Sequence, residues 1–212
     1  PGVGTLRQPI AVEAGGYVFI APDNGVLSYA LAQQEHRKAV TLTNPAYQRP
    51  EISRTFHGRD IFAPAAAYAA SGVAVTQLGE PLDELTLLPP PTINIQGRRV
   101  TGEVLHVDHF GNIVSSIGLM HWRTDERLTL VPAFGDHEQT VPVMAESAVV
   151  RIGAETVSGI SPTYGEVSRG ELVALVGSSG YLELAVNQGN AAVRLDVAIG
   201  DRVELQIGDV NA

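Results

Sequence analysis

No cysteine occurs in the chain. Disulfides, zinc thiolate sites, iron–sulfur clusters and cysteine nucleophiles are therefore excluded. No apolar run approaches the ~20 residues of a membrane span, and the opening residues lack the pattern of a signal peptide. A cytoplasmic location without a membrane partner is the expectation. Positive charge is scarce, with 14 Lys and Arg against 23 Asp and Glu and a net charge of −9. A phosphate backbone would want a basic face, so the balance argues against a nucleic-acid partner. It mildly favours a neutral or cationic small ligand, but from charge alone an acidic, soluble surface accounts for it better. Internal repeats and low-complexity tracts are also missing.

The common site signatures are absent too. Gly2-Val3-Gly4-Thr5 is not followed by Lys, so it is no phosphate loop. His106 and His109 are three apart, and on a strand such residues face opposite sides. No metal and no cofactor are expected. Ser178-Ser179-Gly180 lacks the Gly-x-Ser-x-Gly elbow of a serine hydrolase.

The chain has 212 residues, 44% hydrophobic and 17% charged, which is enough to bury a core in one large or two small domains. Pro1-Gly2-Val3-Gly4-Thr5 is turn chemistry of the kind that follows a strand, so the chain is expected to begin inside a domain. Tyr17–Ile20 reads as a strand, Pro22-Asp23-Asn24-Gly25 as a turn, 26–34 as a helix and 39–43 as a strand. A small-residue helix over 64–70 ends at Ser71-Gly72. This alternation predicts an α/β domain over residues 1–91. Pro89-Pro90-Pro91 can continue neither a helix nor a central strand and reads as a linker. Beyond it, strands are predicted at 102–107, 128–131, 148–152, 172–176, 181–186, 191–195 and 202–207, separated by Gly, Asn, Asp and Ser turns. Such spacing predicts an all-β barrel or sandwich over residues 92–212.

The run Thr55-Phe56-His57-Gly58-Arg59-Asp60-Ile61-Phe62-Ala63-Pro64 packs an imidazole, a guanidinium and a carboxylate just before an apolar helix. Buried charge must be paired or used, so the run is either an ordinary ion pair at a helix start or part of a site. Asp108-His109-Phe110-Gly111-Asn112 has the same two readings. An aromatic beside an Asn, after an Asp, is turn chemistry. It is also what an adenine pocket needs: a ring to stack on and an amide that donates and accepts.

Five runs in order resemble one family. They are Pro-Gly-Val-Gly-Thr-x-Arg at 1–7, Pro-Asp-Asn-Gly-Val-Leu-Ser at 22–28, the run at 55–64, Asp-His-Phe-Gly-Asn at 108–112, and Gly-Ser-Ser-Gly-Tyr-Leu-Glu-Leu-Ala-Val-Asn-Gln-Gly at 177–189. The chain is similar to the S-adenosyl-L-methionine (SAM) hydrolases that form adenosine, also called SAM hydroxide adenosyltransferases, relatives of the fluorinases and chlorinases.

That resemblance implies an α/β N-terminal domain, incomplete here, and a C-terminal β-barrel. It implies a homotrimer with active sites between subunits. The implied reaction is SAM plus water giving adenosine and methionine, with SAM as substrate and no cofactor. Arg7 and His57 match the residues that hold the attacking water. The matching Asp would sit immediately before Pro1, so the chain is expected to be a fragment with impaired turnover. Asp108, Phe110 and Asn112 match the nucleoside-binding turn. Tyr164, in Thr163-Tyr164-Gly165-Glu166, resembles a second adenine-flanking aromatic. Ser178 and Glu183 match positions around the methionine part, with Asn187 close by. Arg59 and Asp60 are expected to pair and orient His57, and Asp23 and Asn24 to form a structural turn. The alternatives are a halogenase of the same fold and a non-catalytic adenosine or SAM binder.

Overall fold

The computed structural model describes residues 7–32, 34, 37–135 and 139–208. The turn expected at 1–5 lies outside them. The chain divides into two compact units between Pro90 and Pro91. Among the described residues the fold is mostly β, with few helices.

The first unit holds strands β1 (Pro9–Ala14), β2 (Tyr17–Pro22), β3 (Arg37–Thr41) and β4 (Glu80–Pro81), in the antiparallel order β2-β1-β3-β4. Central β1 is buried on both faces. Ile10, Val12 and Ala14 pack with Leu31, while Ala11 packs with Val40, Ile61, Ala65 and Leu78. A strand covered on both sides has no polar alternation, so period counting does not reveal it.

Helix α1 spans only Ser28–Leu31, shorter than the expected 26–34. The Arg37 guanidinium takes the carbonyl of Leu31 and, at 2.8 Å, that of Gln34. The Leu31 carbonyl also accepts from the Gln34 N–H at 3.0 Å, so the last acceptor of α1 is satisfied without a further helical turn. Helix α2 (Ala63–Ala70) is entered through one π-helical turn, Gly58–Phe62, and stops at Ser71 before Gly72 at φ +95°.

The second unit holds β5 (Ile93–Gln96), β6 (Arg99–Val107), β7 (Ile113–Ser115), β8 (Met120–Trp122), β9 (Arg127–Leu130), β10 (Val141–Met144), β11 (Val149–Ile152), β12 (Glu155–Ser158), β13 (Leu172–Val176), β14 (Leu182–Val186) and β15 (Arg202–Gln206). Eight of these form a sheet ordered β12-β11-β15-β6-β7-β14-β13, with β5 also on β6. Ser161, just past β12, bridges Leu175 in β13, which brings the two edges together into a nearly closed barrel. Strands β8, β9 and β10 form a separate three-stranded sheet. The core is aliphatic, with Val104, Ile113, Leu130, Leu184, Val203 and Leu205 at 1% exposure or less.

Residues 191–195, expected as a strand, form helix α3 (Ala191–Leu195). The Asn190 side chain accepts from the Val193 backbone N–H at 2.8 Å, an N-cap that turns the chain into a helix. Asp196, at φ +51°, ends it. His109 is not on a strand: β6 stops at Val107, and His109 lies exposed in the following turn.

Candidate functional site

The Asp108–Asn112 turn is organised by one carboxylate. Asp108 Oδ1 accepts from the backbone N–H groups of Phe110 (2.8 Å) and Asn112 (2.9 Å), and its Oδ2 accepts from Asn112 Nδ2 (2.9 Å). Burial pulls the Asp108 carboxyl up, but the donors of Asn112, Phe110 and Gly111 outweigh it and hold the group below the usual carboxylate range. Held this way, the turn leaves the Phe110 ring 75% exposed. Asn112 keeps its amide oxygen and one N–H for a ligand edge. Gly111 is required here. Its φ is +87°, and a Cβ would collide with the Asn190 side chain.

Opposite aromatic chemistry comes from Tyr164, on a short 3₁₀ turn (Tyr164–Glu166). Its hydroxyl donates to Glu183 Oε1 at 2.6 Å. Burial, the hydrogen bond to Glu183 and the negative charges of Glu183 and Asp108 push the Tyr164 phenol up to about 12. It is therefore a neutral donor at any physiological pH. Asp108, Phe110, Asn112, Tyr164 and Asn187 line one pocket of about 720 Å³, together with Val186, Gln188, Gly189 and Asn190. That volume suits a small organic ligand.

The structure thus brings five of the expected residues to one cavity. Glu183, buried in β14, reaches it through Tyr164. Ser178 is exposed in the Gly177–Gly180 turn between β13 and β14. Asn190 and Gln188 were not anticipated. Asn190 could have been read from its place before Ala191-Ala192, an N-cap ahead of small helix formers. Gln188 adopts φ +56°, which no local pattern announces.

Arg7 and His57 belong to the first unit. Arg7 is exposed just ahead of β1, and His57 is half-buried at the start of the π turn. Behind His57, Asp60 is fully buried and bonded by Arg59 Nε (2.6 Å), Arg59 Nη2 (3.0 Å) and the Ser53 backbone N–H (2.8 Å). The Arg59 and Ser53 hydrogen bonds, and the nearby charges of Arg59 and Arg49, lower the Asp60 carboxyl to about 2 against the opposing effect of burial. Arg59 also lies 5.1 Å over the Phe56 ring. Asp23 accepts from the Thr86 N–H (2.8 Å) and hydroxyl (3.0 Å), and Asn24 from the Val26 N–H (3.0 Å), so both shape a turn. No cluster of three His, Asp or Glu suited to a metal occurs among the described residues. No helix among them is long and apolar enough to cross a membrane.

Residues 1–79 match the SAM hydroxide adenosyltransferase N-terminal domain, and residues 102–204 match the SAM hydroxide adenosyltransferase C-terminal domain. The chain is 37% identical to the (R)-S-adenosyl-L-methionine hydrolase of Salinispora tropica over 98% of its length and 72% of that protein's. It is 35% identical to the hydrolase of the same name from Thermus thermophilus, over 97% and 72%. A fluorinase of Actinopolyspora mzabensis is 29% identical, over 90% and 61%. Among solved structures, an uncharacterized conserved protein from Thermotoga maritima superposes with a TM-score of 0.70 at 31% identity, over 97% of this chain and 73% of that one. With both halves matched in order and the hydrolases similar along nearly the whole length, the chain belongs to the SAM hydroxide adenosyltransferase family.

Proposed function

We propose that the protein hydrolyses S-adenosyl-L-methionine to adenosine and L-methionine. The observation that carries this reading is the 720 Å³ pocket with Phe110, Tyr164 and Asn112 on its walls, in a chain of this family. An exposed ring offers a stacking face for adenine, and the free part of the Asn112 amide suits the adenine edge. Asp108 fixes the turn that presents both.

The step is a displacement at the ribose C5′. A water oxygen forms a bond to C5′ as the C5′–S bond breaks. The electron pair of that bond goes to sulfur, which leaves as the thioether of methionine, and one proton is released. The sulfonium is already a good leaving group, so no cofactor is needed. The nucleophile is the difficulty. A positioned cation lowers the cost of forming hydroxide, and a base takes the proton. Arg7 is assigned the first role and His57 the second. Ser178 is assigned to the methionine part. An α/β N-terminal domain followed by an all-β barrel domain, a homotrimer and a cytoplasmic setting belong to the same proposal.

Three hydrolases are 35–37% identical to this chain and a fourth is 25% identical, against 27–29% for the fluorinases, and the three nearer hydrolases support water over a halide as the nucleophile. The test is turnover of SAM followed by chromatography. His57→Ala is expected to lower kcat by roughly 10²- to 10⁴-fold. Unchanged kcat would remove His57 from the reaction.

A further inference from the structure

Strand β14 reads Leu182-Glu183-Leu184-Ala185-Val186 and is buried along its whole length. Glu183 is the charged residue in it, at 8% exposure, between Leu175 and Val114 on the neighbouring strands. A carboxylate there is costly unless its oxygens are used. One is spent on the Tyr164 hydroxyl at 2.6 Å. The other lies against Gly177, where a Cβ would collide with Oε2. Gly177 is therefore the residue that makes room for Glu183.

Asn187 follows four residues later, and its Nδ2 donates to the Val167 carbonyl at 2.7 Å. The Asn187 backbone carbonyl accepts from Gly170 N–H at 2.8 Å. Tyr164, Val167 and Gly170 all belong to one irregular segment, 161–170, whose start is held by the Ser161 N–H on the Ala174 carbonyl (2.8 Å). This segment supplies the Tyr164 wall of the pocket. It contains one short 3₁₀ turn and Tyr164 is 41% exposed, so packing alone does not fix the ring.

We infer that Glu183 and Asn187 are positioning residues: they pin the 161–170 segment to the barrel and so set the Tyr164 wall of the nucleoside pocket, rather than meeting the methionine part of the substrate. The inference rests on the proposed adenosine pocket and assigns how one of its walls is held.

Adenosine separates the two roles, because it lacks the methionine part. Its affinity is measured by calorimetry for the wild type, Tyr164→Phe, Glu183→Leu, Glu183→Gln, Asn187→Ala and the Tyr164→Phe/Glu183→Leu double variant. Tyr164→Phe and Glu183→Leu are each expected to weaken adenosine by about tenfold, the scale of one lost hydrogen bond at a buried acceptor. The double variant is expected to be no weaker than the worse single one, since both remove the same contact. Glu183→Gln keeps an acceptor and should stay within about threefold of wild type, with Asn187→Ala intermediate. Adenosine affinity unchanged in Glu183→Leu and Asn187→Ala, with SAM alone weakened, would overturn the inference.

A second readout needs no ligand. The ultraviolet titration difference between the wild type and Tyr164→Phe isolates the Tyr164 phenol, expected near 12. In Glu183→Leu it should move toward the ordinary tyrosine value of about 10. No movement would overturn the pairing, whereas movement without any adenosine binding would leave the pairing intact and sink the nucleoside reading. Should Glu183→Leu fail to fold, Tyr164→Phe tests the same contact from its exposed side.

Discussion

Asp60 is buried and charged at once, because Arg59 and the Ser53 N–H surround it with donors. Its folded carboxyl sits near 2, below its ordinary value of 3.8. A lowered carboxylate stabilises the fold fully above its unfolded value and loses that contribution as pH falls through the folded one. The thermal midpoint is therefore expected to drop between about pH 4 and pH 2 in the wild type. Asp60→Asn should be less stable at pH 7 and should lose part of that drop, as followed by circular dichroism against temperature. His57 depends on the same segment, so Asp60→Asn should also lower kcat more than it changes KM. The run of chargeable residues ahead of a small-residue helix was plain in the sequence, and so was the pairing of Arg59 with Asp60. The Ser53 backbone donor was not, because a loop N–H seven residues away leaves no residue-type signal. The Asp108 turn was legible for a related reason. Asp, Gly and Asn within five residues form a local hydrogen-bond unit whose chemistry does not depend on distant chain.

Elements separate into those with a local signature and those fixed by their neighbours. Strands β13, β14 and β15 stand out as short apolar runs between turn residues, and the structure places them within a residue of the expected bounds. Strand β1 escapes because burial on both faces removes the alternation. Helix α3 was misread because Ala, Val and Leu suit either state, and the decision rests on the Asn190 cap and its fit over Gly111. That fit makes Gly111 a sharp test. Gly111→Ala adds a Cβ against Asn190 at a left-handed position and is expected to cost about 1–3 kcal/mol in denaturant unfolding. Asn190→Ala removes the cap and should cost about 1 kcal/mol. If Gly111→Ala is neutral, the contact between the turn and α3 is not what holds the pocket's shape.

At the scale of the whole molecule, the two units have separate cores, and the barrel's is the larger. Leu184 is fully buried in central β14, beside the residues that support the pocket. Leu184→Ala is expected to destabilise the barrel by about 2–5 kcal/mol, read from denaturant midpoints. An all-β unit, barrel or sandwich, was foreseeable as a class from many short strands at turn spacing, and the structure shows a nearly closed sheet. The strand order was not, because β6 pairs with β15 across about a hundred residues and no local signal encodes that partner. The most direct measurement is SAM turnover in ¹⁸O-enriched water, with and without chloride, followed by mass spectrometry of the products. Hydrolysis at C5′ predicts adenosine carrying one ¹⁸O at its 5′ oxygen, with methionine unlabelled and chloride without effect. A 5′-chlorinated nucleoside, or no adenosine at all from the bound substrate, would contradict the account.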